Sequence, residues 1–272
     1  MSGSVVAARP SPGTPRPYEF PAAERARLDN GLTVIVAPMP GRPLVSATLV
    51  FRAGAADEPP AVGGATVLAA RGLTEGTERY DAIELVEAAE RLGATLHAEA
   101  GWDAVSAGVD VPASRLGPAL DLLAEVVARP TFPAREVERL RDERLNDILQ
   151  AKAEPRRRAD EAFAAAIYAP ESPYSRPAGG TRETVERLEP GTLRSVHRRA
   201  LDPDRLTLVV AGDVEARPTV DLAEELLGRW ARAEAAESAG PIVDRAAPAG
   251  RHVRLIHRPG AVQSEVRVGH VG

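Results

Sequence analysis

The chain has 272 residues, a net charge of −5 and a hydrophobic share of 44%, enough for one large or two modest folded domains. An aromatic share of only 4% and the acidic balance argue against a nucleobase-stacking surface, and against nucleic acid or anionic membrane as a partner. There is no cysteine, so disulfides and thiol catalysis are excluded, and no apolar run approaches the roughly 20 residues of a membrane helix.

Met1 to Ala22 holds five prolines and no apolar stretch after basic residues, so it reads as a disordered lead-in and not as a secretory signal. A cytoplasmic location is the expectation. Residues 25–37 predict a hairpin, with Asn30-Gly31 supplying the positive φ pair of a type I′ turn. Residues 45–51 alternate and predict a strand. Helices are expected over about 64–73 and 81–92, the second with Asp81 and Glu84 as a capping box and Gly93 as its stop. Strands follow at 95–100 and 104–111, then helices at 116–128, 133–153 and 157–167, with Pro133 in the first turn of the middle one.

After a Pro- and Gly-rich loop at 170–180, two short helices lead to residues 205–213. This near-continuous apolar run predicts a central strand. A helix over about 219–230 closes the unit, 231–250 reads as a linker, and 252–257 and 262–271 read as two further strands. Two strands cannot bury a core alone. They are expected either to join the main sheet or to begin another domain.

Five segments carry a resemblance. They are Phe51 to Thr77, Leu92 to Asp103, Arg129-Pro130-Thr131-Phe132-Pro133, Pro173 to Thr181, and Leu206 to Val214. In this order and spacing they resemble the peptidase family M16, the pitrilysin and insulinase family. The resemblance implies an α+β protein with the M16 (LuxS/MPP-like) metallohydrolase fold, a mostly antiparallel mixed sheet covered by helices. It also implies a disordered tail at 1–22, an M16-like N-terminal domain at 23–231, a linker at 232–250 and the first strands of a truncated second domain at 251–272.

Active members carry an inverted zinc motif, His-x-x-Glu-His, just before a Gly-Thr pair. Counted back from Gly76-Thr77, the two His positions fall on Val67 and Arg71, and the Glu position falls on Ala70. Valine has no lone pair, arginine is permanently cationic, and alanine cannot accept a proton. The third ligand position falls on Asp147, a single carboxylate. No metal or cofactor is therefore expected in this chain, and zinc is expected only in a partner subunit. Leu96, His97, Ala98, Glu99 and Ala100 resemble the family's substrate edge strand, which would pair with an extended peptide through its backbone.

Arg71 reads first as a surface residue filling an abandoned ligand position, and second as a contact for a substrate carboxylate. Asp147, among Arg141, Asp142, Glu143 and Arg144, reads first as part of a solvated helix face. His197, beside Arg198 and Arg199 at a helix end, reads as a cation suited to the dipole. His252 and His257 fall on opposite faces of a predicted strand and form no metal site.

The resemblance thus implies a non-catalytic M16 subunit that pairs with a zinc-bearing homologue in peptide degradation or processing. A non-proteolytic scaffold with the same fold, and a fragment of a longer gene, are the alternatives.

Overall fold

A computed structural model describes residues 12–15, 17–231 and 250–270. Six strands form one sheet: β1 (Glu24–Arg27), β2 (Thr33–Pro38), β3 (Leu44–Phe51), β4 (Thr95–Ala100), β5 (Val105–Pro112) and β6 (Leu206–Gly212). Their order is β1-β2-β6-β3-β5-β4, and only the β2–β6 pair is parallel. The sheet is therefore mixed and mostly antiparallel. The apolar run of β6 does sit centrally, between β2 and β3.

Eight α-helices accompany the sheet among the described residues: α1 (Ala65–Gly72), α2 (Ala82–Leu92), α3 (Leu116–Ala128), α4 (Ala134–Ala153), α5 (Pro155–Ile167), α6 (Arg182–Val185), α7 (Pro190–Ala200) and α8 (Ala216–Leu227). They cover one face only. Along β3, residues Val45, Ala47, Leu49 and Phe51 are buried, while Leu44 and Ser46, on the opposite face, are exposed. The same alternation buries Val34 and Val36 of β2 and Leu206, Leu208 and Val210 of β6. These side chains meet α1, α3, α7 and α8 in a single core. Each fully buried leucine or valine there contributes ~1.5–3 kcal/mol.

Local chemistry explains the helix that was easiest to foresee. At α2, Asp81 Oδ1 accepts from the amides of Ile83 and Glu84 at 2.9 Å each, and Glu84 Oε2 accepts from the Asp81 amide at 3.0 Å. Gly93 ends the helix at φ 64. Other expectations need correction. Asn30 does not adopt positive φ; among the described residues only Phe132 does so apart from glycines. The β1–β2 connection instead spans 28–32, because the buried Asn30 side chain has nonlocal work: its Nδ2 donates to the Leu227 carbonyl at 2.8 Å, tying the loop to the end of α8. Pro133 is the residue before α4, not within its first turn, and α8 starts three residues earlier than the pattern suggested.

The strands expected at 252–257 and 262–271 do not form over the described part of those segments. Alternation alone makes no strand without a neighbour to take its backbone groups. Residues 250–270 pair with neither sheet edge. They leave Val253, Leu255, Val262 and Val268 exposed. They touch the body through Arg258, whose Nη1 donates to the Ala153 carbonyl at 2.9 Å, and through Arg267, paired with Asp160. Most of the expected linker (232–249) and most of the expected lead-in (1–11 and 16) lie outside the described residues.

Candidate functional site

Residues 58–64, leading into α1, include no Ser, Thr, Asp or Asn; the N-cap is Gly64, at φ 95. The cap comes from outside. Glu58 is buried, its Oε2 accepts from the Gly64 amide at 2.8 Å, and its Oε1 accepts from the Thr66 amide. A carboxylate at a helix N-terminus satisfies orphan donors and meets the positive end of the dipole. Burial nonetheless raises the Glu58 pKa, with the Thr66 and Gly64 hydrogen bonds and the Arg176 charge opposing. Arg176 clasps the same corner: its Nη2 donates to the carbonyls of Ala55 at 3.2 Å and Glu58 at 3.0 Å. Loop 170–180 is thereby fixed to the start of α1.

α1 packs on β4, β5, α4 and α7. Val67 and Arg71, four residues apart, share its partly exposed face, whereas Ala70 is only 2% exposed. Ala70 lines a cavity of about 10 Å³ with Phe51, Thr66, Val105 and His197. Arg71 is not a free surface residue. Its Nη2 lies 3.0 Å from Glu143 Oε2 and its Nη1 lies 3.9 Å from Asp147 Oδ2. The structure thus brings Arg71 and Asp147 together, as the spacing argument placed them. Both side chains keep solvent exposure, as surface residues do, and Arg71 is in addition ion-paired to α4.

The donor set does not fit a zinc ion. Two carboxylates face the position, but a guanidinium already occupies them, and Val67 and Ala70 add no ligand and no base. Among the described residues no group of three or more His, Asp or Glu side chains could hold a metal.

Among the described residues β4 is an edge strand, paired only with β5. Leu96, Ala98 and Ala100 turn toward the core, while His97 and Glu99 point to solvent. His97 Nδ1 lies 3.8 Å from Asp110 Oδ2 on β5. At the far end of the β4–β5 hairpin, Tyr174 donates to Asp103 Oδ1 at 2.5 Å and its ring meets Trp102 at 5.5 Å.

His197 departs from its sequence reading. It is buried, its Nε2 lies 2.7 Å from the Val127 carbonyl, and its ring packs on Phe51 and Phe132. The carbonyl can only accept, so Nε2 carries the proton. Burial lowers its pKa, and the neutral ring is a core residue. Glu58, Arg176 and the Arg71–Glu143 pair were missed in the sequence. The signal for the first was present: a helix start that lacks a local capping residue must find a distant one.

The class of protein that this fold defines is an α+β one, with helices packed on a mixed, mostly antiparallel six-stranded sheet. The family model described as insulinase (peptidase family M16) matches residues 33–181, and the one described as peptidase M16 inactive domain matches residues 187–270. The chain belongs to peptidase family M16. It is 29% identical over 204 residues to an uncharacterized zinc protease of Mycobacterium leprae, covering 75% of this chain and 46% of that protein. It is 25% identical over 253 residues to another of Streptomyces coelicolor, covering 91% of this chain and 53% of that protein. The chain therefore spans about half the length of the curated relatives it matches. Among solved structures, a protease from Helicobacter pylori superposes with a TM-score of 0.76 at 17% identity, over 84% of this chain and 55% of that one. A peptidase M16 inactive domain from Pseudomonas fluorescens superposes at 0.71 with 23% identity, over 75% and 50%. These likenesses show the M16 fold.

Proposed function

We propose that this chain serves peptide degradation or processing as a non-catalytic M16 component. It presents an extended peptide on the open edge of β4 and relies on a zinc-bearing homologue for hydrolysis. The observation that carries the reading is a preserved frame with a lost centre. β4 keeps an unpaired edge beside α1, while positions 67, 70 and 71 hold valine, alanine and an ion-paired arginine. Strand addition draws its affinity from main-chain hydrogen bonds, so an edge can keep receiving peptides after the metal chemistry is gone. The peptide class of substrate is drawn from the zinc protease names of the relatives.

The roles are specific. Leu96 to Ala100 supply the ladder, with His97 and Glu99 on its solvent face. Arg71 and Asp147 hold α1 against α4 and take no part in bond cleavage. The water activation that His-x-x-Glu-His performs comes from the partner chain.

The test is reconstitution. The chain is purified, mixed with a homologue from the same genome that carries His-x-x-Glu-His, and assayed on a fluorogenic peptide library. Expected are a complex on gel filtration and chelator-sensitive cleavage by the mixture that exceeds that of the homologue alone. Chelator-sensitive cleavage by this chain alone would overturn the proposal. So would a homologue that neither binds the chain nor gains activity from it.

A further inference from the structure

The contact between α1 and α4 is charged at one point, and the charges there are not scattered. Glu143 and Asp147 stand four residues apart on one face of α4, where two carboxylates repel each other. Arg71 from α1 enters beside both, at 3.0 Å and 3.9 Å. Glu143 also accepts Arg139 Nη1 at 2.5 Å, and Arg139 in turn meets Glu136 at 2.8 Å and Glu75, just beyond α1, at 2.5 Å. The pairs form one connected chain, Asp147–Arg71–Glu143–Arg139–Glu75, in which three of the four links join α1 or the turn after it to α4. Within it two guanidinium groups serve four carboxylates, counting Glu136. Arg144, also on α4, faces Asp147 too, but removing Arg71 or Arg139 still takes away the cation that contacts Glu143.

We propose that Arg71 is a charged brace between two helices: its guanidinium pairs with Glu143 and reaches toward Asp147, the residue that the resemblance implies at the third-ligand position, and so joins α1 to the paired carboxylates of α4. An arginine that merely filled an abandoned position would extend into solvent. Here the side chain is 37% exposed and directed at the residue in the third-ligand position. A metal ion and an arginine can do the same mechanical work, joining two helices through carboxylates on one of them. Only the metal can also polarise a water or a carbonyl. The substitution would thus keep the brace and discard the chemistry. The inference rests on ion-pair geometry and stands whether or not β4 receives peptides.

Exposed ion pairs contribute little singly, and networks contribute more. The test is therefore a thermal-unfolding cycle on the full chain. Arg71→Met keeps most of the stem and removes the charge, and Arg71→Lys keeps the charge. At low ionic strength Arg71→Met is expected to lower Tm by ~2–4 °C, the shift that corresponds to ~1 kcal/mol in a domain of this size. Arg71→Lys should recover at least half of that. In about 1 M salt, where the screening length is about 3 Å, the difference should shrink to less than half.

The decisive arm is a sign change. Asp147→Asn should lower Tm slightly in the native background, because it removes a partner of Arg71. In the Arg71→Met background the same substitution should raise Tm, because it relieves the repulsion with Glu143. Additive losses, equal losses for Lys and Met, or a loss that salt does not touch would each overturn the assignment. If Arg71→Met does not fold, Arg71→Lys decides the charge question: a Tm within ~2 °C of native supports the brace, and a Lys variant that also fails to fold overturns it.

Discussion

Glu58 accepts the Gly64 amide at 2.8 Å from six residues upstream, and so caps a helix that has no cap of its own. Helix position follows from this one carboxylate. α1 carries the degenerate site on its exposed face and packs on β4, so an error at its first turn would reach both. Glu58→Ala should leave two buried amides without acceptors and cost ~1–3 kcal/mol. Glu58→Gln should also destabilise, because only one of its terminal atoms can accept. Denaturant unfolding checks both. The titration of Glu58 has a definite sign: burial raises its folded pKa against the pull of the two amides, so the share of stability linked to its proton is full below about 4.5 and is lost as pH rises through the raised value, while the accepted amides are a separate contribution. An unchanged midpoint for Glu58→Ala would remove the cap from the argument.

His197 should give the opposite slope. Its folded pKa is lowered by burial, while the unfolded chain takes up a proton near 6.5. Stability is therefore intact above about pH 6.5 and falls as pH drops below it, by up to about 1.4 kcal/mol per pH unit. His197→Gln keeps a donor for the Val127 carbonyl but cannot titrate. Its stability, lower overall, should be flatter between roughly pH 6.5 and 5. Equal slopes in the two proteins would mean that other groups carry the acid response.

Gly72 marks the closest approach of α1 to the turn before α4. A Cβ there would lie 2.9 Å from Phe132 Cδ1, and Phe132 cannot retreat: it is 1% exposed and held at φ 48. Gly72→Ala should cost ~1–3 kcal/mol despite alanine's better helix propensity. A stabilised Gly72→Ala in thermal unfolding would show that the ring has room.

How much of this was legible in the sequence depended on whether the cause was local. The capping box at Asp81 and Glu84, the stop at Gly93 and the apolar run of β6 each carry their reason within a few residues, and each formed as expected. Asn30 misled because its turn preference is local but its hydrogen bond to Leu227 reaches 197 residues away. Residues 252–257 and 262–270 misled for the converse reason: their alternation is real, but a strand needs a neighbour, and these residues lie on neither edge of the sheet. At the candidate site, valine at 67 and arginine at 71 could be counted off the chain. The guanidinium bridge to Glu143 could not, since it joins residues 72 apart across two helices.

Metal analysis after dialysis should find background zinc, and a chelator should leave Tm unchanged. One tightly held zinc per chain, lost on Asp147→Ala, would contradict this. Restoring the site has a structural cost at one position. Val67→His with Arg71→His places two imidazoles on the exposed face and should yield measurable zinc binding with Asp147. Adding Ala70→Glu should lower stability by several kcal/mol unless the helix shifts, because Ala70 faces an apolar cavity of about 10 Å³, too small for a carboxylate. Zinc titration by calorimetry, with and without Ala70→Glu, separates binding from folding.

The β4 edge is tested by its backbone. Peptide addition depends on the amides and carbonyls that alternate along Leu96 to Ala100, and proline cannot donate to such a ladder. Ala98→Pro should weaken binding of an extended peptide by about tenfold or more, roughly the 1.4 kcal/mol that separates tenfold affinities. His97→Ala should matter less, because the side chain is half-exposed and its neighbour is Asp110 on β5. Both variants need a circular dichroism and Tm control, since Ala98 also packs on the core and pairs with Ala107. Binding is read by fluorescence anisotropy with a labelled, unstructured peptide. A larger loss for His97→Ala than for Ala98→Pro would move recognition from the backbone to the imidazole. If neither folded variant changes binding, the peptide lies elsewhere and β4 is an edge of the scaffold alone.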